Sequence, residues 1–297
     1  MRRSTLPAAR LGDVVALEDR RRGPVASARP ATAGRMPDPA PWPRRVSRSV
    51  FLVAREAAAA TATTLGGPAR LAAGTAPDPR ADPECRPAPC GGPPVVLVHG
   101  LGSSPKCWFA LRRALRAEGR TVVSFDYSPW GSSVEELANR LITTVEQLLA
   151  VTGAGKVHLI GHSLGGVIIA QALTGDRLAG HVDLVATLGS PFGGSTWAAL
   201  CPVALPLVMA LRPGSPVLRR LGAARSSANV RWLAFVSACD AIVPADRAVP
   251  ANRKVTRISV DEAGHCGMLL DPGVIARLVA ATGVTGGSVD PGVRLAA

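Results

Sequence analysis

The sequence predicts an α/β protein with a mostly parallel central sheet and helices on both faces. From residue 93 onward, short apolar runs alternate with longer segments of helical pattern. The runs lack polar alternation, which is typical of strands buried on both faces of a parallel sheet. The predicted strands are 95–98, 121–125, 157–160, 182–188, 232–236 and 255–260. The predicted helices are about 106–118, 134–151, 164–173 and 272–281.

Residues 1–92 differ from this pattern and are predicted to form a largely disordered arm. Of the 26 prolines, 15 lie in residues 1–94, and proline cannot take part in regular backbone ladders. Residues 50–65 are apolar enough to predict one helix in the arm. This segment is too short for a membrane span, although a start at Met36 would make it resemble an export signal. Localisation in the cytoplasm or in the cell envelope therefore stays open, and the remaining chain divides into a domain at 93–283 and a tail at 284–297.

The net charge of +13 favours nucleic acid as a partner only until its distribution is considered. Residues 1–94 carry 15 arginines against 8 acidic residues, and the remaining residues carry 19 basic against 13 acidic side chains. In the larger part the basic residues are scattered, and the whole chain has one tyrosine for base stacking. No nucleic-acid partner is expected.

The junction between the third strand and its helix contains a candidate nucleophile. Ser163 lies in Gly161-His162-Ser163-Leu164-Gly165, a Gly-x-Ser-x-Gly pattern that follows an apolar strand and precedes a helix. This context predicts a nucleophile elbow, in which glycines make room for a sharp turn that exposes the serine hydroxyl. The alternative is a purely structural role, in which a glycine-rich turn packs the helix on the sheet and Ser163 has no catalytic function.

A nucleophilic serine needs a base, and His265 is the histidine that fits. The elbow predicts the chain order serine, acid, histidine. His99, His158 and His162 do not follow the serine, and His181 precedes a strand at the opposite edge of the sheet. His265 follows the strand 255–260, at the carboxyl edge where such sheets hold their active sites.

The acid is predicted to be Asp240, which follows the strand 232–236. It would accept the Nδ1 proton of His265 and fix the tautomer of the ring. Asp246 is the second candidate, whereas Asp126 also ends a strand but precedes the serine.

Two backbone amides are predicted to form an oxyanion hole. The amide of Leu164 follows the nucleophile at a helix N-terminus, where the helix dipole favours negative charge. The second donor is expected in the glycine-rich loop after the first strand, at Leu101.

Four strings of sequence together resemble a known family. They are His99-Gly100-Leu101-Gly102, Gly161-His162-Ser163-Leu164-Gly165-Gly166, Leu188-Gly189-Ser190-Pro191-Phe192-Gly193-Gly194-Ser195 and Gly264-His265. They resemble the α/β-hydrolase superfamily, on its bacterial triacylglycerol lipase and esterase branch, over roughly residues 93–282.

The resemblance implies the α/β-hydrolase fold and hydrolysis of carboxylic esters through an acyl-Ser163, with Leu101 and Leu164 as the oxyanion pair. Phe192 replaces a histidine that is usual in the third string. No acidic pair is clearly placed for the structural calcium of some members, so no metal or cofactor is expected. A thioesterase, an amidase or a haloperoxidase could use the same triad, and a non-catalytic lipid-binding protein is the alternative from a different class.

An uncharged apolar segment predicts a cap and an acyl substrate. Residues 197–211 hold no charge and lie between two core strands, so we place a cap or lid at 196–222. An apolar cap would bind medium or long acyl esters and, where exposed, would contact a lipid surface transiently. A buried core helix is the alternative. The aromatic residues expected to bind substrate are Trp108, Trp130, Phe192 and Trp197.

The six cysteines leave several pairings open. Cys239 and Cys266 flank the proposed acid and base, and Cys107 and Cys201 offer a second pair. Cys85 and Cys90 lie in the arm and could close a small loop. A metal site near the proposed triad is a weaker alternative, because a metal would occupy the base and no second ligand pair has the expected spacing.

Overall fold

The computed structural model describes residues 92–224 and 230–283, and every structural statement below concerns these ranges. The predicted helix at 50–65, the tail at 284–297 and the arm up to residue 91 lie outside them.

Six parallel strands form one sheet, as the apolar runs predict. The spatial order is β2-β1-β3-β4-β5-β6. The strands are β1 (Val95–Val98), β2 (Val122–Phe125), β3 (Val157–His162), β4 (Val182–Leu188), β5 (Arg231–Ser237) and β6 (Thr256–Val260).

Helices cover both faces of this sheet. The helices are α1 (Phe109–Ala117), α2 (Val134–Thr152), α3 (Leu164–Ala172), α4 (Thr196–Leu200), α5 (Pro206–Ala210), α6 (Pro216–Ala223) and α7 (Pro272–Gly283). Alternate residues of β1 enter opposite layers of the core, since side chains along a strand alternate between its faces. Val96 belongs to the hydrophobic cluster that contains α2 and α3, and Val95 belongs to the cluster that contains α1 and α7. The uninterrupted apolar pattern of β1 reflects this burial on two sides.

The predicted elements differ from the structure mainly at the periphery. The segment predicted as one helix from residue 106 begins as a 3-10 turn over Pro105–Trp108 before α1. β6 is the last strand of the sheet and leaves Thr256, Arg257 and Ser259 exposed. The expectation of burial on both faces is therefore wrong for β6, whose exposed residues are polar.

The segment between β4 and β5 forms the three short helices α4, α5 and α6. Leu207 and Leu211 are buried, whereas Leu200 is 80% exposed and Met209 is 42% exposed. One side of this segment therefore packs on the core and the other leaves large apolar side chains in solvent. We call residues 196–222 the cap.

The sheet order brings two carboxyl-edge loops together. β1 lies between β2 and β3, so the chain direction across the sheet reverses at β1. Val98 is in register with Gly161, which places the loop after β1 beside the loop after β3. Such a reversal leaves a crevice at the carboxyl ends of the strands, where α/β proteins bind ligands.

Candidate active site

Ser163 occupies a strained turn between β3 and α3. Its φ is 52° and its ψ is −122°, a conformation that costs a non-glycine residue about 1–3 kcal/mol. The flanking glycines make the turn sterically possible. A Cβ at Gly161 would stand 2.6 Å from the backbone nitrogen of Gly166, and one at Gly165 would stand 2.1 Å from the carbonyl oxygen of Val98. The Gly-x-Ser-x-Gly pattern thus has the geometry that its sequence context predicts.

His265 and Asp240 form a buried hydrogen-bonded pair. His265 Nδ1 lies 2.8 Å from Asp240 Oδ2, and the two residues are 5% and 7% exposed. The other carboxylate oxygen, Oδ1, accepts backbone N–H groups from Ile242 at 2.9 Å and Val243 at 2.8 Å. These two bonds fix the carboxylate so that Oδ2 meets the imidazole. Nδ1 donates to the carboxylate, so Nε2 is the remaining basic nitrogen of the ring.

Gly189 provides the space for this pair. Its φ is +54°, and a Cβ on it would stand 2.8 Å from Asp240 Oδ2 and 3.1 Å from His265 Nδ1. The sequence marks Gly189 only as part of the third family string. The requirement for glycine becomes evident once the chain brings residues 189, 240 and 265 together.

Ser163 and His265 lie in the wall of one cavity of about 290 Å³. Its polar wall also includes His162, Ser103 and Ser195. The apolar part of the wall is formed by Leu101, Trp197, Leu211, Ile242 and Leu269. The cavity therefore joins a hydroxyl and an imidazole to a largely apolar space.

The loops expected to supply oxyanion donors flank this cavity. Leu101 lines it, and Leu164 is the first residue of α3. Backbone N–H groups in the first turn of a helix have no partner within the helix, so a ligand in the cavity could accept a hydrogen bond from the amide of Leu164.

Of the four aromatic residues predicted to bind substrate, Trp197 lies in the cavity wall. Trp108 is 1% exposed and packs in the core with α1, and Trp130 is 54% exposed. Phe192 lines a different cavity, and the centroid of its ring lies 6.0 Å from that of the Trp232 ring in a T-shaped arrangement. Trp108, Trp130 and Phe192 therefore do not line this cavity, because Trp108 packs in the core, Trp130 projects into solvent and Phe192 packs against Trp232.

The rival acids lie elsewhere. Asp246 is exposed and lines the same second cavity as Phe192. Asp126 lies 3.3 Å from Nε2 of His99, so its partner is a histidine that precedes the serine. Asp240 is the carboxylate that lies within hydrogen-bond distance of His265.

A contact that the sequence analysis missed joins the elbow to the base. His162 Nε2 lies 3.0 Å from the carbonyl oxygen of His265, and the two rings are 4.7 Å apart. Burial lowers the pKa of His162 to about 3, and the nearby His265 contributes to the same direction. The position of His162 within the elbow excludes it as the base, and no sequence signal pairs a residue with a backbone group 103 positions away.

The cysteines near the site are not joined in disulfides within the described residues. Cys107 is buried, which raises the pKa of its thiol to about 12, and Cys239 is exposed. Cys201 and Cys266 are partly buried and likewise form no disulfide. The pairings suggested for these four residues are therefore absent from the structure, whereas Cys85 and Cys90 lie outside the described residues.

An elbow serine after a central strand of a parallel sheet, followed in the chain by an acid and a histidine, defines the α/β-hydrolase class of fold. The alpha/beta hydrolase family model matches residues 95–236, close to half of the chain. Over these residues the chain is similar to that family.

Individual relatives agree with this placement. A triacylglycerol lipase of Pseudarthrobacter phenanthrenivorans is 36% identical over 114 residues, which are 35% of this chain and 35% of the relative. A probable esterase of Oryza sativa subsp. indica is 34% identical over 109 residues, 33% of this chain and 40% of the relative. The chain thus matches well under half the length of these relatives.

A solved structure supports the fold over a longer range. The mature form of the lipase BlEst2 of Bacillus licheniformis superposes with a TM-score of 0.56 at 18% identity, covering 65% of this chain and 93% of that one. In the part of the chain that the structure describes, no helix is both long and apolar enough to cross a membrane.

Proposed function

We propose that the protein is a serine hydrolase that cleaves carboxylic esters, with Ser163 as nucleophile, His265 as base and Asp240 as the acid that orients it. One structural observation gives the strongest support for this proposal. The hydrogen-bonded pair of Asp240 and His265 opens on the same cavity as a serine held at a strained elbow. The names of the relatives, a lipase and an esterase, favour an ester over other acyl substrates.

The reaction divides into two steps at Ser163. In the first, His265 Nε2 takes the hydroxyl proton while Oγ attacks the ester carbonyl, and the amides of Leu101 and Leu164 stabilise the oxyanion. The C–O bond to the alcohol then breaks, and the leaving oxygen takes the proton from His265. In the second step, a water molecule gives a proton to His265 and its oxygen attacks the acyl carbon. The bond between that carbon and Ser163 Oγ then breaks, Oγ takes the proton back from His265, and the carboxylic acid is released.

The cavity wall supports an acyl substrate of medium or long chain. Five apolar residues, among them Trp197 and Leu269, line the same cavity of about 290 Å³ as Ser163. Transfer of a methylene group from water to such a surface contributes about 0.8 kcal/mol, so each added carbon that fits strengthens binding. The exposed apolar residues of the cap would in addition contact a lipid surface transiently.

Labelling with a fluorophosphonate tests the nucleophile directly, because the probe reacts covalently with activated serines. We expect the wild type to be labelled and to hydrolyse p-nitrophenyl esters, and Ser163→Ala to lose both properties. Ser103→Ala is the matched control, since Ser103 lines the same cavity but does not lie at the elbow. Labelling of Ser163→Ala at the wild-type rate would overturn the proposal, as would a wild type that reacts with neither probe nor ester.

A further inference from the structure

The side chain of His162 lies between three functional segments of the site. His162 is the last residue of β3 and precedes the elbow serine, and its side chain lines the cavity while being 4% exposed as a residue. Its Nε2 lies 3.0 Å from the backbone carbonyl oxygen of His265. A carbonyl oxygen can only accept, so Nε2 must carry the proton in this contact.

The opposite side of the ring faces the loop after β1. A Cβ placed on Gly100 would stand 3.0 Å from His162 Nδ1 and 3.1 Å from the Cβ of Ser163. The ring therefore lies close against the backbone that leads to Leu101. Within the described residues, Nδ1 is buried and has no hydrogen-bond partner. The hydrogen bond that fixes this side chain is consequently the one from Nε2 to His265.

The environment keeps this ring uncharged. Burial is the main reason that the pKa of His162 falls to about 3, and the proximity of His265 and His99 lowers it further. A neutral ring donates from Nε2 without placing a second positive charge beside the imidazolium that His265 forms during turnover. His162 is thus suited to hold His265 without competing with it for a proton.

We propose that His162 is a positioning residue that fixes the main chain of His265 through its Nε2–H and so sets the approach of that imidazole to Ser163. This inference rests on the proposed function. Asp240 orients the ring of His265 through Nδ1, and His162 fixes the backbone from which that ring projects. Two independent hydrogen bonds then fix the position of His265, one to its side chain and one to its main chain.

A pair of substitutions separates the hydrogen bond from the shape of the ring. His162→Gln retains an N–H donor near the position of Nε2, and His162→Leu removes it while retaining an apolar side chain of moderate size. With p-nitrophenyl butyrate, we expect His162→Leu to lower kcat about tenfold to hundredfold, as small misplacements of reacting groups do, with little change in KM. We expect His162→Gln to recover most of this loss. Fluorescence melting curves of all three proteins report whether the variants fold.

Three kinetic outcomes are informative. A kcat of His162→Leu within twofold of the wild type overturns the proposal, and so does an equal loss in the Leu and Gln variants, which would assign the effect to packing. An effect on KM alone would also overturn it. A wild type that cleaves no ester and resists the fluorophosphonate would instead defeat the proposed function, and the kinetic role of His162 would fall with it.

A measurement on the wild type tests the contact without relying on activity. In ¹H–¹⁵N spectra of protein labelled at histidine, two-bond couplings distinguish the two neutral tautomers, and the spectrum of His162→Gln assigns the resonance. We expect the Nε2–H tautomer at position 162, unchanged between pH 5 and pH 8. An Nδ1–H tautomer, or a midpoint near the ordinary histidine pKa of about 6.5, would overturn the inferred hydrogen bond.

Discussion

The hydroxyl of Ser195 donates a hydrogen bond to the carbonyl oxygen of Ile242 at 3.0 Å, which joins the start of the cap to the loop that follows Asp240. The backbone N–H of Thr196 donates to the same oxygen at 3.0 Å. On its other side, Ile242 donates its own N–H to Asp240 Oδ1 at 2.9 Å. One residue, Ile242, thereby connects the cap to the carboxylate that orients His265.

Removal of the Ser195 hydroxyl should loosen the cap. Ser195 Oγ also accepts the N–H of Ala198 and so caps α4. We expect Ser195→Ala to lower the free energy of unfolding by about 1 kcal/mol, and to raise KM for a long-chain ester more than KM for an acetate ester. Ser195→Thr keeps the hydroxyl and should behave like the wild type. Urea denaturation and a two-substrate comparison of KM test this, and an equal KM change for both esters would contradict it.

A second prediction concerns the space behind the acid and the base. Gly189→Ala would place a methyl group 2.8 Å from Asp240 Oδ2 and would also strain a backbone with φ of +54°. We expect kcat/KM to fall about a hundredfold, because the pair must shift to make room.

Gly153→Ala is the matched control for the backbone strain alone. Gly153 has a φ of +68°, and no atom lies within 4 Å of its ideal Cβ. This variant should lose about 1 kcal/mol of stability with an unchanged kcat/KM. If the two variants lose activity equally, the steric argument at Gly189 is wrong.

A third prediction concerns acyl length. Trp197 lines the cavity and is 47% exposed, so truncation should remove contact with the substrate rather than disturb the core. Across p-nitrophenyl esters from acetate to palmitate, we expect the wild type to prefer a medium or long chain. Trp197→Ala should lower the ratio of kcat/KM for the preferred ester to kcat/KM for the acetate ester, by an amount that corresponds to about 1–3 kcal/mol.

Trp130→Ala serves as the control for this series, since Trp130 is 54% exposed and lies outside the cavity lining. Its acyl profile should match that of the wild type. Fastest turnover on the acetate ester by the wild type would contradict the assignment of an acyl-binding cavity.

Much of this site could be predicted because its parts are local in sequence. The elbow at Ser163 is specified by glycines within three residues, and Asp240 and His265 each follow a strand whose carboxyl edge is fixed by parallel pairing. Ser163, Asp240 and His265 follow one another along the chain in the predicted order. Ser163 and His265 line one cavity, and Asp240 lies within hydrogen-bond distance of His265.

The parts that could not be predicted depend on side-chain direction or on contacts between distant segments. Trp108 follows a loop at the reacting edge, as predicted, but its ring turns into the core, and no local pattern decides between these directions. The roles of Gly189 and His162 exist only because the chain brings them against residues 240 and 265. β6 differs from the other strands in being exposed, at Thr256, Arg257 and Ser259.

A fourth prediction concerns acid stability and arises at the opposite edge of the sheet. His158 is buried beside Asp183, with Nε2 3.2 Å from Oδ2, and burial lowers the pKa of His158 to about 4. In the unfolded chain the histidine pKa is about 6.5. The unfolded state therefore binds more protons between these two values, and stability must fall as the pH drops from about 6.5 to about 4. His162, whose pKa falls to about 3, adds to the same trend.

Each of these histidines should contribute a slope of up to about 1.4 kcal/mol per pH unit. The pKa of Asp183 is also lowered, by its hydrogen bond and its charge interaction with Arg231. The stability that the ionised Asp183 contributes is therefore lost only below the ordinary aspartate pKa of about 3.9. Urea denaturation at several values between pH 7 and pH 4.5 measures the slope. His158→Gln keeps an amide donor for Asp183 but takes up no proton. It should reduce the slope by up to about 1.4 kcal/mol per pH unit, the contribution of one proton. A wild-type stability that is flat over this range would show that His158 is not held neutral.

The last prediction concerns contact between the cap and a lipid surface. Leu200 is 80% exposed and Val203 is 46% exposed, and both belong to an uncharged stretch of the cap. Leu200→Glu should weaken binding to phosphatidylcholine vesicles and should slow hydrolysis of an emulsified triglyceride, because a carboxylate resists transfer into the interface. Hydrolysis of a monomeric soluble ester should stay unchanged, since Leu200 is not among the residues that line the cavity.

Phe109→Glu is the control, as Phe109 is 55% exposed but lies outside the cap. An equal loss of vesicle binding in the two variants would argue against a contact made by the cap, and a loss on the soluble ester would assign Leu200 to the site itself.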